Sequence, residues 1–270
     1  MTTALLIDFG STFTKLRAVD LEKAEIIGAG QGPSTVATDI TGGLTKALSD
    51  LEGRIGPLPD FKHRLACSSA AGGLGMVTVG LVKELTAEAA KQAALGAGAK
   101  LTGTFSHGLT QGDIAEVEAL APDIILLAGG TDGGNSDVIL ENAEKLAAAS
   151  VTCPVIVAGN REAADEAAGL LKAAGKLVTV TENVMPEFGT LNVEPARDAI
   201  RQVFIERIVH AKGIDRAEEM FDAVLMPTPA AVLEGARLLS EGLDNAPGLG
   251  PLVVIDVGGA TTDVHSVATG

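Results

Sequence analysis

Residues 5–19 read LLIDFGSTFTKLRAV, and residues 253–267 read VVIDVGGATTDVHSV. The two stretches align without a gap. Ile7 matches Ile255, Asp8 matches Asp256, Gly10 matches Gly258, Thr14 matches Thr262 and Val19 matches Val267. Each is an apolar run, then Asp–x–Gly, then a return containing threonine, which predicts strand, tight turn and strand. An ordinary hairpin needs such a turn only once. Recurrence of the same polar set at both ends of the chain points to a shared chemical task.

The pattern suits phosphate binding, with two ordinary Asp–Gly hairpins as the alternative. Gly10, Gly258 and Gly259 let backbone N–H groups approach phosphate oxygens with no Cβ in the way. Hydroxyls at Ser11, Thr12, Thr14, Thr261 and Thr262 add donors. Asp8 and Asp256, at strand ends, suit a hydrated magnesium ion or a water beneath a γ-phosphate. Lys15 is the cation of the first hairpin, and its direction stays open because the turn interrupts the strand alternation. Neither copy contains GxxxxGK[ST], which argues against a P-loop. DFGST returns as strand instead of opening a helix, which argues against a dinucleotide-binding turn.

Between the hairpins the periodicities predict an α/β chain. Helical spacing covers residues 38–51, 113–121, 136–149, 161–174 and 228–239, with a further helix entered through Pro195. Its expected buried stripe is Ala199, Val203, Phe204, Ile208 and Ala211. Thr86 is the expected N-cap of an Ala-rich helix ending near Leu95, after which GAGAKLTG reads as a break. Short apolar runs at 63–68, 76–82, 123–128, 153–158 and 177–181 read as strands. Such alternation predicts a mainly parallel sheet with helical crossovers. LLAGGTDGGN at 126–135 places Gly129, Gly130, Asp132 and Asn135 at the C-terminal end of a strand, where parallel folds bind ligands. AGN at 158–160 repeats that placement with Asn160. Turn and capping roles suit the same residues.

The chain has 270 residues, 33 glycines, seven phenylalanines and no Trp or Tyr, so its core must be aliphatic. A formal net charge of −15 disfavours nucleic acid and anionic membrane surfaces as partners. No stretch predicts a membrane span or a secretory signal, and a cytoplasmic location is expected. Cys67 and Cys153 make no metal-ligand spacing. His63, His107, His210 and His265 are scattered likewise, with His265 expected on a polar face of the second hairpin.

The two hairpins resemble the phosphate-1 and phosphate-2 motifs of the actin, Hsp70 and sugar kinase superfamily. With LLAGGTDGGN between them, the order is most similar to the MutL family associated with glutamate mutase, which is distinct from the mismatch-repair protein of that name. The resemblance implies an actin-like, ribonuclease H-like ATPase domain with an inserted or extended α/β segment and the start of a second such domain. Its expected divisions are 1–99 and 186–250 for the first domain, 100–185 for the insertion and 251–270 for the second hairpin. It also implies ATP and magnesium as cofactors. Gly10, Ser11, Thr12, Lys15, Gly258, Gly259, Thr261 and Thr262 would then hold phosphate, and Asp8 and Asp256 the metal and water. The implied partner is an adenosylcobalamin-dependent aminomutase, which the protein would reactivate at the expense of ATP.

The superfamily places its adenosine-contacting motif after phosphate-2, and this sequence stops at Gly270. The expectation is therefore a fragment or shortened homologue with weak or absent ATPase activity. Three other readings compete: a small-molecule kinase of the same superfamily, an iron–sulfur activator of 2-hydroxyacyl-CoA dehydratases, and a non-catalytic scaffold.

Overall fold

The computed structural model describes residues 2–35, 39–69, 74–95, 97, 99–211, 220–259 and 262–268. In chain order its elements begin β1 (Thr3–Phe9), β2 (Phe13–Asp20), β3 (Glu25–Pro33), α1 (Ile40–Ile55) and β4 (His63–Ser68). An alternating stretch follows: β5 (Leu74–Gly80), α2 (Lys83–Leu95), β6 (Ala99–Ser106), α3 (Gln111–Leu120) and β7 (Ile124–Leu127). It continues with α4 (Asp137–Ala148), β8 (Val155–Val157), α5 (Arg161–Ala173), β9 (Val178–Val180) and α6 (Glu194–Ala211). The last elements are β10 (Ala223–Pro227), α7 (Thr228–Glu241), a small ribbon of β11 (Gly242–Leu243) and β12 (Ala246–Pro247), then β13 (Leu252–Val257) and β14 (Thr262–Val267).

Two compact units result, Met1–Gly73 with Phe204–Gly270, and Leu74–Val203. The second takes in β5 and α2 on one side and the start of α6 on the other, in addition to residues 100–185.

The first unit is built on a five-stranded sheet in the order β10-β4-β1-β2-β3. β2 runs antiparallel to β1 and β3, and β1, β4 and β10 are mutually parallel. Strand alternation explains which side is covered. Leu5, Ile7 and Phe9 of β1 and Leu16 and Ala18 of β2 are buried, as are Ile40, Leu44, Ala47 and Leu51 of α1. α1 lies directly on β3 because the strand presents glycines. A Cβ at Gly30 would come within 2.5 Å of the Ala47 carbonyl oxygen. Phe9 meets Phe221 edge to face at 5.6 Å between ring centroids, a favoured aromatic geometry.

The second unit is a wholly parallel sheet in the order β6-β5-β7-β8-β9. Its central strands are apolar on both faces, as parallel strands covered by helices must be. Val77, Val79, Ile125, Leu127, Val155 and Val157 share one core with residues of α3, α4 and α5. Met76, Ile124, Leu126 and Ile156 share the other with Ala89, Ala90, Ala93 and Ala94 of α2 and with Ala196, Ile200 and Val203 of α6.

Several sequence expectations are corrected. α2 starts at Lys83, so Thr86 lies within the helix and not at its N-cap position. Strand β6 begins inside the stretch read as a break and runs past it to Ser106, and β10 was not anticipated. In α6 the covered positions include Ala196 and Ile200, with Ala199 only half-buried. The side chains of Ile208 and Ala211 lie outside the described residues, as does Thr261. Among the described residues no helix is long and apolar enough to cross a membrane.

Candidate functional site

The site grows from the end of β1. Gly10 closes the first turn by donating its N–H to the Phe13 carbonyl at 3.0 Å, leaving Ser11 and Thr12 exposed at the tip. The Thr12 carbonyl accepts from Ser34 N–H at 2.8 Å, which ties the tip to the end of β3. Gly10 has no room for a side chain, since a Cβ there would lie 2.6 Å from the Phe13 oxygen.

Asp8 sits beneath this turn, paired across the ladder with Lys15. Lys15 therefore points to the Asp8 side of the sheet, with its Nζ 3.6 Å from Asp8 Oδ2. Thr14, the next residue back, is on the opposite face. It is fully buried and its hydroxyl faces α1, where a Cβ on Gly43 would approach it to 3.0 Å. This corrects its expected role as a phosphate donor, because alternation turns it away from the tip.

Two residues that sequence reasoning did not place beside the hairpins complete the environment of Asp8. Thr228, the first residue of α7, donates its hydroxyl to Asp8 Oδ1 at 2.9 Å. The Cys67 thiol on β4 lies 3.7 Å from the same oxygen and 3.6 Å from the Thr228 hydroxyl. Burial and then the Asp8 charge push the Cys67 thiol up to about 12, against which the Thr228 hydrogen bond acts only in part. Cys67 is consequently a neutral thiol at ordinary pH and a poor nucleophile or metal ligand. Beside this group a cavity of about 510 Å³ opens between the sheet and α7. Its floor is apolar, from Leu6, Leu65, Ala66 and Met226, and its polar rim is Asp8, Lys15, Arg17 and Glu234.

The second turn arrives at the tip of the first. A Cβ built on Gly259 would overlap the Thr12 hydroxyl and lie 3.5 Å from the Ser11 hydroxyl. Both hairpin turns thus meet within the first unit, with Gly258, Gly259 and Thr262 exposed beside Ser11 and Thr12. Asp256 is half-buried and faces Asp263 across the β13–β14 ladder. His265, expected on a polar face, is instead buried at 8% exposure, and its Nε2 has no hydrogen-bond partner among the described residues. The correction comes from α7, which packs on β13 and β14.

The glycine loop of the second unit is engaged internally. Asn183 donates to the Gly130 carbonyl at 3.0 Å and to Asp132 Oδ1 at 2.9 Å. Asp132 also accepts from Arg161 N–H, and Asn135 Oδ1 accepts from Val138 N–H in the first turn of α4. Asn160 caps α5 through Glu162 N–H and donates to the Gly134 carbonyl. Gly129 and Gly130 adopt φ of 134° and 72°, conformations that favour glycine. The loop's polar groups serve one another and the helix starts. Among the described residues, no group of three or more His, Cys, Asp or Glu converges as a metal cage.

The arrangement defines an α/β protein with two glycine turns converging beside a carboxylate–lysine pair. Residues 4–270 match the family model described as MutL protein, and the chain belongs to that family. It is 52% identical over 271 aligned positions to a protein named Protein MutL from Clostridium tetanomorphum, a match covering all of this chain. The chain spans 59% of that relative's length.

Proposed function

We propose that this chain acts in an ATP-dependent accessory factor, reactivating or chaperone-like, for an adenosylcobalamin-dependent aminomutase such as glutamate mutase. The observation that carries the nucleotide reading is the meeting of the Gly259 turn with Ser11 and Thr12 in one unit. Two independently encoded anion-binding turns then face one phosphate chain. The sheet order supports the same reading, since a five-stranded sheet with one reversed strand suits the ribonuclease H-like half of an actin-like ATPase. MutL membership fits an accessory role beside glutamate mutase and favours none of the competing readings. Cys153, required as a ligand by the iron–sulfur alternative, is buried among aliphatic side chains of the second unit.

Each residue has a defined part. Gly10, whose own amide closes the turn on Phe13, keeps the tip free of a side chain, so that the amides of Ser11, Gly258 and Gly259 would cradle phosphate oxygens and Lys15 would neutralise them. Asp8 offers hard oxygen donors at a partly exposed strand end. That suits magnesium held mainly by phosphates and water, with Asp8 and Asp256 acting through water. Bound Mg·ATP would supply the phosphoryl group whose hydrolysis drives the cycle. Turn closure on nucleotide would be passed to the aminomutase.

Thermal melting of the full-length protein with Mg·ATP, followed by ATP-dependent recovery of inactivated glutamate mutase, tests this. Saturating Mg·ATP at about 100 times Kd should raise Tm by about 5–10 °C. Asp8→Ala should remove that shift while the protein stays folded. No shift in the wild type would end the nucleotide reading. A shift without mutase recovery would end the assignment of this partner.

A further inference from the structure

Asp8 is held less firmly than its position suggests. The Lys15 ammonium stands 3.6 Å away on a side chain 51% exposed, and ion pairs of that kind fix little. The Cys67 thiol, at 3.7 Å, is a weak donor. Among the described residues, the one short hydrogen bond to Asp8 is the Thr228 hydroxyl, 2.9 Å from Oδ1. That bond sets the carboxylate rotation and leaves Oδ2 toward the turn, where a Cβ on Gly10 would lie 3.9 Å from it.

Thr228 also has a particular place in the chain. It is the first residue of α7, directly after β10, which pairs in parallel with β4. The same helix packs on β13 and β14, the strands that carry the second turn. A shift of α7 would therefore move the second turn and the donor to Asp8 together.

We infer that Thr228 is a positioning residue: its hydroxyl orients Asp8 toward the metal–phosphate end of the site, and through α7 it ties that orientation to the placement of the second turn. This rests on the nucleotide reading above. The role is separate from that of Asp8 itself, because Thr228 acts on the carboxylate and not on the nucleotide.

Mg·ATP and metal-free ATP binding, each read as a melting shift across a magnesium titration, tests the inference on the whole chain. Thr228→Val removes the hydroxyl while keeping the shape, and should raise the magnesium needed for half-maximal shift roughly tenfold. Its response to metal-free ATP should change little, and Thr228→Ser should restore the wild-type titration. If Thr228→Val fails to fold, Thr228→Ala carries the same comparison without the added methyl. A wild-type magnesium titration in the hydroxyl-free variant, with the shift lost in Asp8→Asn, would overturn the positioning role and leave the nucleotide reading intact. Equal loss in the Val and Ser variants, with and without magnesium, would make Thr228 merely structural. Failure of the wild type to respond to Mg·ATP would remove the nucleotide reading and this inference together.

Discussion

The two hairpins share a sequence pattern and differ in everything around them. β1 and β2 are the centre of a five-stranded sheet, covered by α1 and bordered by β4 and β3. β13 and β14 form a ribbon of two strands, and among the described residues only the side toward α7 is covered. Ile7 is 2% exposed, whereas its counterpart Ile255 is 62% exposed. Val253, Val257 and Val264 are exposed beside it, while the polar His265 is buried. The pattern that writes a phosphate turn does not write its burial. Burial depends on which elements the rest of the chain delivers to each face.

Core substitutions should separate the hairpins most. Leu16→Ala empties a fully buried site and should cost about 2–5 kcal/mol. Ile255→Ala, on the exposed face, should change stability by about 0.5 kcal/mol or less. Urea unfolding of both variants checks this, and a large loss from Ile255→Ala would show that the outer face of the ribbon is covered in solution.

The glycines should separate next. Gly10→Ala sets a Cβ against a backbone oxygen of its own turn, and strain of that kind costs about 1–3 kcal/mol. Gly259→Ala meets the side chain of Thr12 at an exposed tip. It should spare the melting temperature and weaken Mg·ATP binding by roughly tenfold. If both variants lost stability equally, with binding unchanged, the turns would be simple connectors.

Cys67 reports on the surroundings of Asp8, and its titration leaves stability independent of pH near neutrality. Its folded value is raised to about 12 from an ordinary 9.0. A raised value means the contribution to stability is complete below about pH 9 and is lost as pH climbs from there towards 12. Cys67→Ala should flatten that alkaline decline. At pH 8 iodoacetamide should label Cys67 slowly, and Asp8→Asn should accelerate labelling by removing the neighbouring charge. Rapid labelling of the wild type would show that the thiol is not held as described.

Much of the fold was legible for a physical reason. The strands of the parallel sheet are short apolar runs such as IILL at 124–127. The helices after them bury alanines and leucines at helical spacing, so periodicity marks both. β6 was missed because AKLTGTFS mixes glycine, threonine and lysine and is only half-covered. β10 was missed because it is short, ends in Pro227 and gains its identity from pairing with β4. Of the site, Asp8, Gly10, Ser11, Thr12 and Lys15 were readable because they are contiguous. Thr228 and Cys67 were not, since 220 and 59 positions separate them from Asp8.

By itself the sequence determined two glycine turns with carboxylates at their strand ends, since spacing along one hairpin is a local property. It equally determined membership in the MutL family, which 52% identity over the full chain makes plain. Only the tertiary structure decided that Gly259 comes to rest against Thr12, that His265 turns inward and that Thr228 grips Asp8. Those contacts join residues far apart in the chain, and only packing of α7 and the sheet brings them together.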